Sequence, residues 1–272
     1  MVIFFNNPFP SWWVKCDMCG EEGWLDKFFP KVSGFLGDIT SFGEYIPESE
    51  KIEYENLQEE INNRIDYRMC SKTMTDEHKQ WWTNSGVPVE WQRFWMLGHI
   101  NNKVIYHQDK YYNLEAYMIP KHGLNWEIKN IDYRLVDPPL GVGRYRPEPG
   151  IPQTFFISRP DLKEITADGT VVIVEGSKKA MVTAIMLGGA VQVLGVPGAM
   201  SWAGVAKAVK EVERVVVILD PDAEVAAAKL ANTIGPSAIR LTLPTKIDDA
   251  IILGMLDEDT LWKMVKLYGR RQ

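Results

Sequence analysis

Hydrophobic and polar positions along this chain change period several times, and the densest apolar patterning lies between residues 171 and 222. Val171–Val174 and Val215–Leu219 are unbroken apolar, mostly β-branched runs. Each stops at acid: Glu175 after the first, Asp220 and Asp222 after the second. Short runs of this kind suit strands buried on both faces of a parallel sheet. Between them come a helix-like stretch at Ser177–Leu187, a third apolar run at Val191–Leu194 and another helix-like stretch at Ser201–Val212. The order is βαβαβ. Right-handed crossovers bring the carboxyl ends of such strands to one edge, where ligands of open α/β sheets bind. Glu175, Asp220 and Asp222 are therefore expected at one site. A helix over Ala223–Ile234, closed by Gly235 and Pro236, a strand over Ala238–Leu243 and an amphipathic helix within Asp257–Gln272 follow.

Upstream, Leu57, Ile61, Ile65 and Met69 recur every four residues and predict a helix after a glycine- and proline-bearing linker at 34–52. Thr75 is placed to cap a short helix, Gly86 to end it and Pro88 to start the next. Trp91 and Trp95 share a face of that second helix and are expected in the core. Val104–Tyr106, Ala116–Ile119, Ile131–Leu135 and Phe155–Ile157 predict a small antiparallel sheet with turns at Pro120, at Pro138 and Pro139, and at Pro147.

Composition narrows the class. With 272 residues, 46% hydrophobic and 24% charged, the chain is an ordinary globular one or two domains long. No apolar run is long enough to span a bilayer, so no membrane association is expected. The opening residues lack the basic and apolar regions of a secretory signal, and three cysteines make no disulfide scaffold. A reducing, cytoplasmic setting is the expectation. The net charge of −6 resides in residues 1–75, which hold seven Lys or Arg against thirteen Asp or Glu; the rest is neutral. Charge alone does not make this a protein that coats nucleic acid.

Candidate chemistry starts from the three acids. Clustered carboxylates repel unless a proton or cation relieves them, and hard oxygen donors suit Mg²⁺ or Mn²⁺. Lys178 and Lys179 fall in the first turn of the following helix, where the macrodipole disfavours cations. An anion such as phosphate at that helix end would account for them, and a solvated surface position is the alternative. Arg144-Tyr145-Arg146 sets two guanidiniums on one side of a strand-like segment, for which a solvated basic edge is the alternative reading. Near the start, Cys16-Asp-Met-Cys19-Gly20 is half of a zinc knuckle. No second ligand pair is evident, so Cys16 and Cys19 are expected to be zinc-free. No Walker A loop is present.

Glu175-Gly176, Gly195-Val-Pro-Gly198 and Asp220-Pro-Asp222 together resemble the three signatures of the TOPRIM domain, over roughly residues 168–255. The Glu-Gly-x-Lys-Lys-Ala form and Pro244-Thr-Lys-Ile-Asp248-Asp249 are most like bacterial-type primases of phages and plasmids. So is the helical hairpin at 75–98, and the Cys-x-x-Cys segment is similar to the second half of their zinc ribbon. The resemblance implies an α/β fold, with a TOPRIM parallel-sheet domain (166–272) behind a smaller α+β primase-like subdomain (41–165) and a partial zinc-ribbon-like segment (1–40). It implies a DNA primase that makes short RNA primers on single-stranded DNA from ribonucleoside triphosphates, with the helicase supplied in trans. Glu175, Asp220 and Asp222 would hold Mg²⁺ or Mn²⁺, joined by Asp248 or Asp249, with Lys178 and Lys179 on the triphosphate. Arg134, Arg144 and Arg146 would hold template and nucleotide. Helix capping by Asp248 or Asp249 is the competing reading of that pair. A metal-dependent TOPRIM nuclease and an inactive replication scaffold remain as alternatives.

Overall fold

The computed structural model describes residues 13–15, 22–24, 73–123, 126–160 and 169–267. The chain divides into two compact units, Met1–Asn56 and Leu57–Gln272. In the first, β1 (Trp13–Lys15) pairs antiparallel with β2 (Glu22–Trp24). Cys16, Cys19, the 34–52 linker and the expected helix at 57–69 lie outside the described residues.

In the second unit, the first described elements are those of the helical hairpin that its caps encode. Helix α1 (Asp76–Asn84) starts at Thr75, whose hydroxyl accepts the His78 N–H while the His78 ring accepts the Thr75 N–H. This is a capping box with histidine in the place usually held by Glu or Gln. Gly86, at φ 87°, turns the chain towards α2 (Val89–Phe94). Gln92 is buried in the crook and donates its amide to the Lys79 and Val87 carbonyls. Trp95 is fully buried with its indole N–H on the Ser158 carbonyl at 3.0 Å, and Trp91 packs half-buried against the same core. Both tryptophans are structural, as their spacing predicts.

Strands β3 (Gly98–His107), β4 (Lys110–His122), β5 (Ile128–Leu135) and β6 (Tyr145–Pro147) form an antiparallel sheet in that order. Two expected turns are not turns. Pro120 lies inside β4 opposite Ile131, and Pro147 closes β6 opposite Asp132. Pairing of β4 with β3 ends at Met118, so at Pro120 the strand has one neighbour, and a missing N–H is tolerated there. Phe155–Ile157 is also reassigned. Strand β7 (Phe156–Ile157) pairs antiparallel with β9 (Gln192–Val196) at the edge of the second sheet. Two apolar residues carry too little pattern to name their partner.

The second sheet runs β11-β10-β8-β9-β7. Its parallel members are β8 (Thr170–Glu175), β9 (Gln192–Val196), β10 (Arg214–Ile218) and β11 (Ala238–Arg240). They are linked by α3 (Ser177–Met186), α4 (Ala203–Ala208) and α5 (Glu224–Ile234), with α6 (Ile247–Ile252) and α7 (Glu258–Leu267) following. Alternate residues of β8 face opposite layers. Val172 and Val174 pack with the hairpin, α3, α6 and α7, whereas Val171 and Ile173 pack with α4 and α5. Burial on both faces is why the runs are continuously apolar. Helix α4 is half the length its pattern suggested, and β11 stops at Arg240 rather than Leu243. Among the described residues no helix is long and apolar enough to cross a membrane.

Candidate functional site

The right-handed crossovers place Glu175, the last residue of β8, beside the segment that leaves β10 through Asp220 and the 3₁₀ turn Pro221–Ala223. The backbone after Glu175 is shaped by two glycines. Gly176 adopts φ 82° and caps α3, and a Cβ on Gly195 of β9 would stand 2.7 Å from the Gly176 carbonyl oxygen. The chain can fold this closely only with glycine at 195.

Glu175 is half-buried, Asp220 is buried and Asp222 is exposed. Burial, then the Asp220 and Asp222 charges, push the Glu175 carboxyl above the usual carboxylate range; Lys179 and Lys246 oppose this. The three acids therefore act electrostatically as one cluster. Lys179 answers it, with its ammonium 3.0 Å from both Asp220 oxygens, and Lys246 stands 3.5 Å from one of them. Asp220 first, then Asp222 and Asp248, hold the Lys246 ammonium above its ordinary pKa.

Lys178 pairs with Asp248 at 3.1 Å. Asp248 is buried, and its other carboxylate oxygen is buried without a hydrogen-bond partner. Neither lysine is a plain surface residue. Both are partly buried cations compensating acids from other elements. Asp249 is exposed and joins no ion pair among the described residues. The capping alternative for this pair is not what forms. Helix α6 begins after Lys246, which takes the N-cap without a side-chain bond, and both aspartates sit in its first turn.

The basic residues split. Arg134 on β5 lies half-buried with its guanidinium 4.2 Å over the Trp81 ring of α1. Arg144 is exposed, and Arg146 on β6 is half-buried with an Nε that has no hydrogen-bond partner. Tyr145 lies between them. Desolvation of its hydroxyl is the largest influence raising its pKa, although the residue as a whole stays 41% exposed. Arg134 hydrogen-bonds it and the Asp248 charge acts on it. Tyr145 thus lies within electrostatic reach of both Arg134 and Asp248.

A buried ion pair within the antiparallel sheet, which no local pattern announces, reaches the start of α3. Lys121 of β4 is wholly buried, 2.8 Å from an Asp132 oxygen on β5, and donates to the Thr154 carbonyl at 2.9 Å. The same Asp132 oxygen accepts from the Ser177 hydroxyl at 3.3 Å, at the start of α3. Lys121, Asp132 and Ser177 fix the first turn of the helix that carries Lys178 and Lys179. Lys246 and Tyr145 are the other site residues that sequence reasoning passed over. A lysine adjoining the Asp248–Asp249 pair was the available signal for the first.

The donor set fits a hard divalent cation. It consists of carboxylate oxygens alone, in mutual repulsion, with one buried oxygen of Asp248 unpartnered. Among the described residues, the group whose donor atoms all lie within 4.8 Å of one another is a different one, His78, His99 and Glu115. A looser carboxylate set leaves positions for water and phosphate oxygens, which Mg²⁺ retains readily.

No protein-family model matches the sequence, and no curated protein does. The fold is that of the DnaG-type primase catalytic core. The zinc-binding and RNA polymerase domains of the Aquifex aeolicus primase match with a TM-score of 0.64 at 16% identity, over 98% of this chain and 77% of that one. The RNA polymerase domain of Mycobacterium tuberculosis primase DnaG matches at 0.59 and 13% identity, over 78% of this chain and 82% of its own. A DnaG primase catalytic domain bound to single-stranded DNA matches at 0.56 and 13%, over 77% and 79%. At these identities the likeness is one of fold.

Proposed function

We propose that this chain is a DNA primase, a nucleotidyltransferase that joins ribonucleoside triphosphates into short primers on single-stranded DNA. The observation that carries the reading is the acidic edge. Glu175 at the end of β8, and Asp220 and Asp222 after β10, come from two strand ends of a primase-like sheet and share one electrostatic field, with Lys179 of α3 set against them. Glu175, Asp220 and Asp222 would hold Mg²⁺ or Mn²⁺, with Asp248 beside them. A bound divalent ion there supplies charge neutralisation for the triphosphate and a lower pKa for the attacking 3′-hydroxyl.

The residues of the chain do the rest. Lys178 and Lys179 bring positive charge to the end of α3, where the helix dipole adds to it, and so favour a polyphosphate beside the acids. Lys246 adds a second ammonium beside Asp220. Arg134, stacked on Trp81, and the exposed Arg144 and half-buried Arg146 offer guanidiniums along β5 and β6 for phosphates of template and nucleotide. Single-stranded DNA is the proposed template, as in the DnaG domain crystallised on it, with the helicase supplied by another chain.

The test incubates the protein with circular single-stranded DNA, four ribonucleotides and Mg²⁺ or Mn²⁺. Short labelled RNA products support the primase. Nicked or shortened circles with no RNA product would replace it with a TOPRIM nuclease.

A further inference from the structure

Three side chains outside the carboxylate group of the strand ends, from three elements, meet beside the helical hairpin. His78 projects from α1, His99 from β3 and Glu115 from β4, and their donor atoms lie within 4.8 Å of one another. His99 Nε2 is 2.7 Å from Glu115 Oε1, and His78 Nε2 is 3.5 Å from the same oxygen. The imidazoles stack with centroids 3.5 Å apart, and Tyr117 stands edge-on to both. One carboxylate oxygen thus serves two ring nitrogens. Neither histidine is needed by the polymerisation reading, and nothing in their sequence spacing pairs them.

We infer that His78, His99 and Glu115 form a binding site for one transition-metal dication of the Zn²⁺ class, which pins helix α1 to strands β3 and β4. Two imidazoles and a carboxylate with one open position are a donor set for Zn²⁺ or Co²⁺, whereas Mg²⁺ prefers oxygens alone. Bonds of about 2.0 Å in a tetrahedral site space the donors about 3.3 Å apart. The observed 2.7 and 3.5 Å straddle that value. Loading requires the stacked rings to splay so that their lone pairs converge. His78 has the room, because its side chain is 17% exposed at the helix surface and that of His99 only 2%. The movement gives up the bond from the Thr75 N–H to His78 Nδ1. It also moves the ring proton from Nε2 to Nδ1.

The site is independent of primase activity, so its test needs no polymerisation. The chelator-treated full chain is titrated with Zn²⁺ and with Co²⁺, followed by thermal melting and by cobalt absorption. One equivalent should bind and raise Tm, and the cobalt spectrum should show ligand-field bands without thiolate charge transfer. A Cys16→Ser, Cys19→Ser variant should bind equally. His78→Gln keeps a good capping-box residue and Glu115→Gln changes a half-exposed side chain, so both variants fold. Each should weaken binding about 100-fold or more, since even the loss of an outer-sphere partner costs 10–100-fold. The inference fails if a several-fold excess of Co²⁺ gives neither a Tm shift nor absorption. It fails equally if binding survives both glutamine variants or disappears with the cysteines.

Discussion

The Lys121–Asp132 pair offers the most direct test of how the antiparallel sheet is coupled to helix α3. Both side chains are nearly inaccessible, at 1% and 10%, and the charges are 2.8 Å apart. Replacing one partner leaves the other charge stranded in a desolvated setting, which costs about 3–5 kcal/mol. Burial already depresses the Lys121 pKa against the pull of Asp132, so Asp132→Leu removes what keeps the ammonium charged there. Lys121→Met strands the carboxylate with Ser177 as its remaining side-chain donor. The double variant removes both charges and leaves the Thr154 carbonyl and the Ser177 hydroxyl without partners, at about 1 kcal/mol each. Two single losses of about 3–4 kcal/mol against a double loss of about 2–3 give a coupling near or above 3 kcal/mol. Urea melts of the four proteins measure it, provided the m-values agree. A coupling below about 1 kcal/mol would refute the argument, because the pair would then be as solvent-screened as a surface bridge. The restoring variant adds a functional readout. If Ser177 matters as the anchor of α3, the double variant should regain stability yet bind ribonucleotides more weakly than wild type.

Four further outcomes are expected. Glu175→Gln, Asp220→Asn and Asp222→Asn should each end primer synthesis with the fold intact, since neutral amides are poor ligands for hard cations; a variant with near wild-type turnover removes its residue from the site. The folded-state pKa of Glu175 is raised, so its contribution is present at low pH and lost as pH rises through the folded value; Glu175→Gln should therefore raise Tm in metal-free neutral buffer, and an unchanged or lower Tm would contradict the cluster. Lys178→Ala with Lys179→Ala should weaken ribonucleotide binding by about 1–3 kcal/mol, and because both lysines compensate buried aspartates it should also lower Tm; equal affinity in a Mg²⁺ titration would return them to a structural role. His122 is wholly buried against Trp126, and desolvation takes its pKa down to about 3, so stability is full above the unfolded value near 6.5 and falls by about 1.4 kcal/mol per unit as pH drops towards 3. Melts between pH 7 and pH 5 should show a loss of about 2 kcal/mol that His122→Phe abolishes, and an identical slope in that variant would assign it elsewhere.

How much of this was legible in the chain follows from the range over which each determinant acts. The parallel sheet is written locally: strands buried on both faces must be continuously apolar, and the acids that end β8 and β10 fall on one edge because crossover handedness is fixed. Glu175, Asp220 and Asp222 could therefore be grouped from sequence, and the capped hairpin read from Thr75, Gly86 and Pro88. The partners of Lys178 and Lys179 could not be. A side chain at a helix start looks equally like a phosphate ligand or solvated surface until the first turn of α6 delivers Asp248 beside it. Strand β7 escaped for a similar reason, its two residues having no period from which to choose a sheet. The Lys121–Asp132–Ser177 link and the His78–His99–Glu115 cluster each join elements far apart in the chain by single contacts. Such contacts leave no repeat in the sequence, because the packing of whole elements, and not the pattern within any one of them, determines which polar side chains meet.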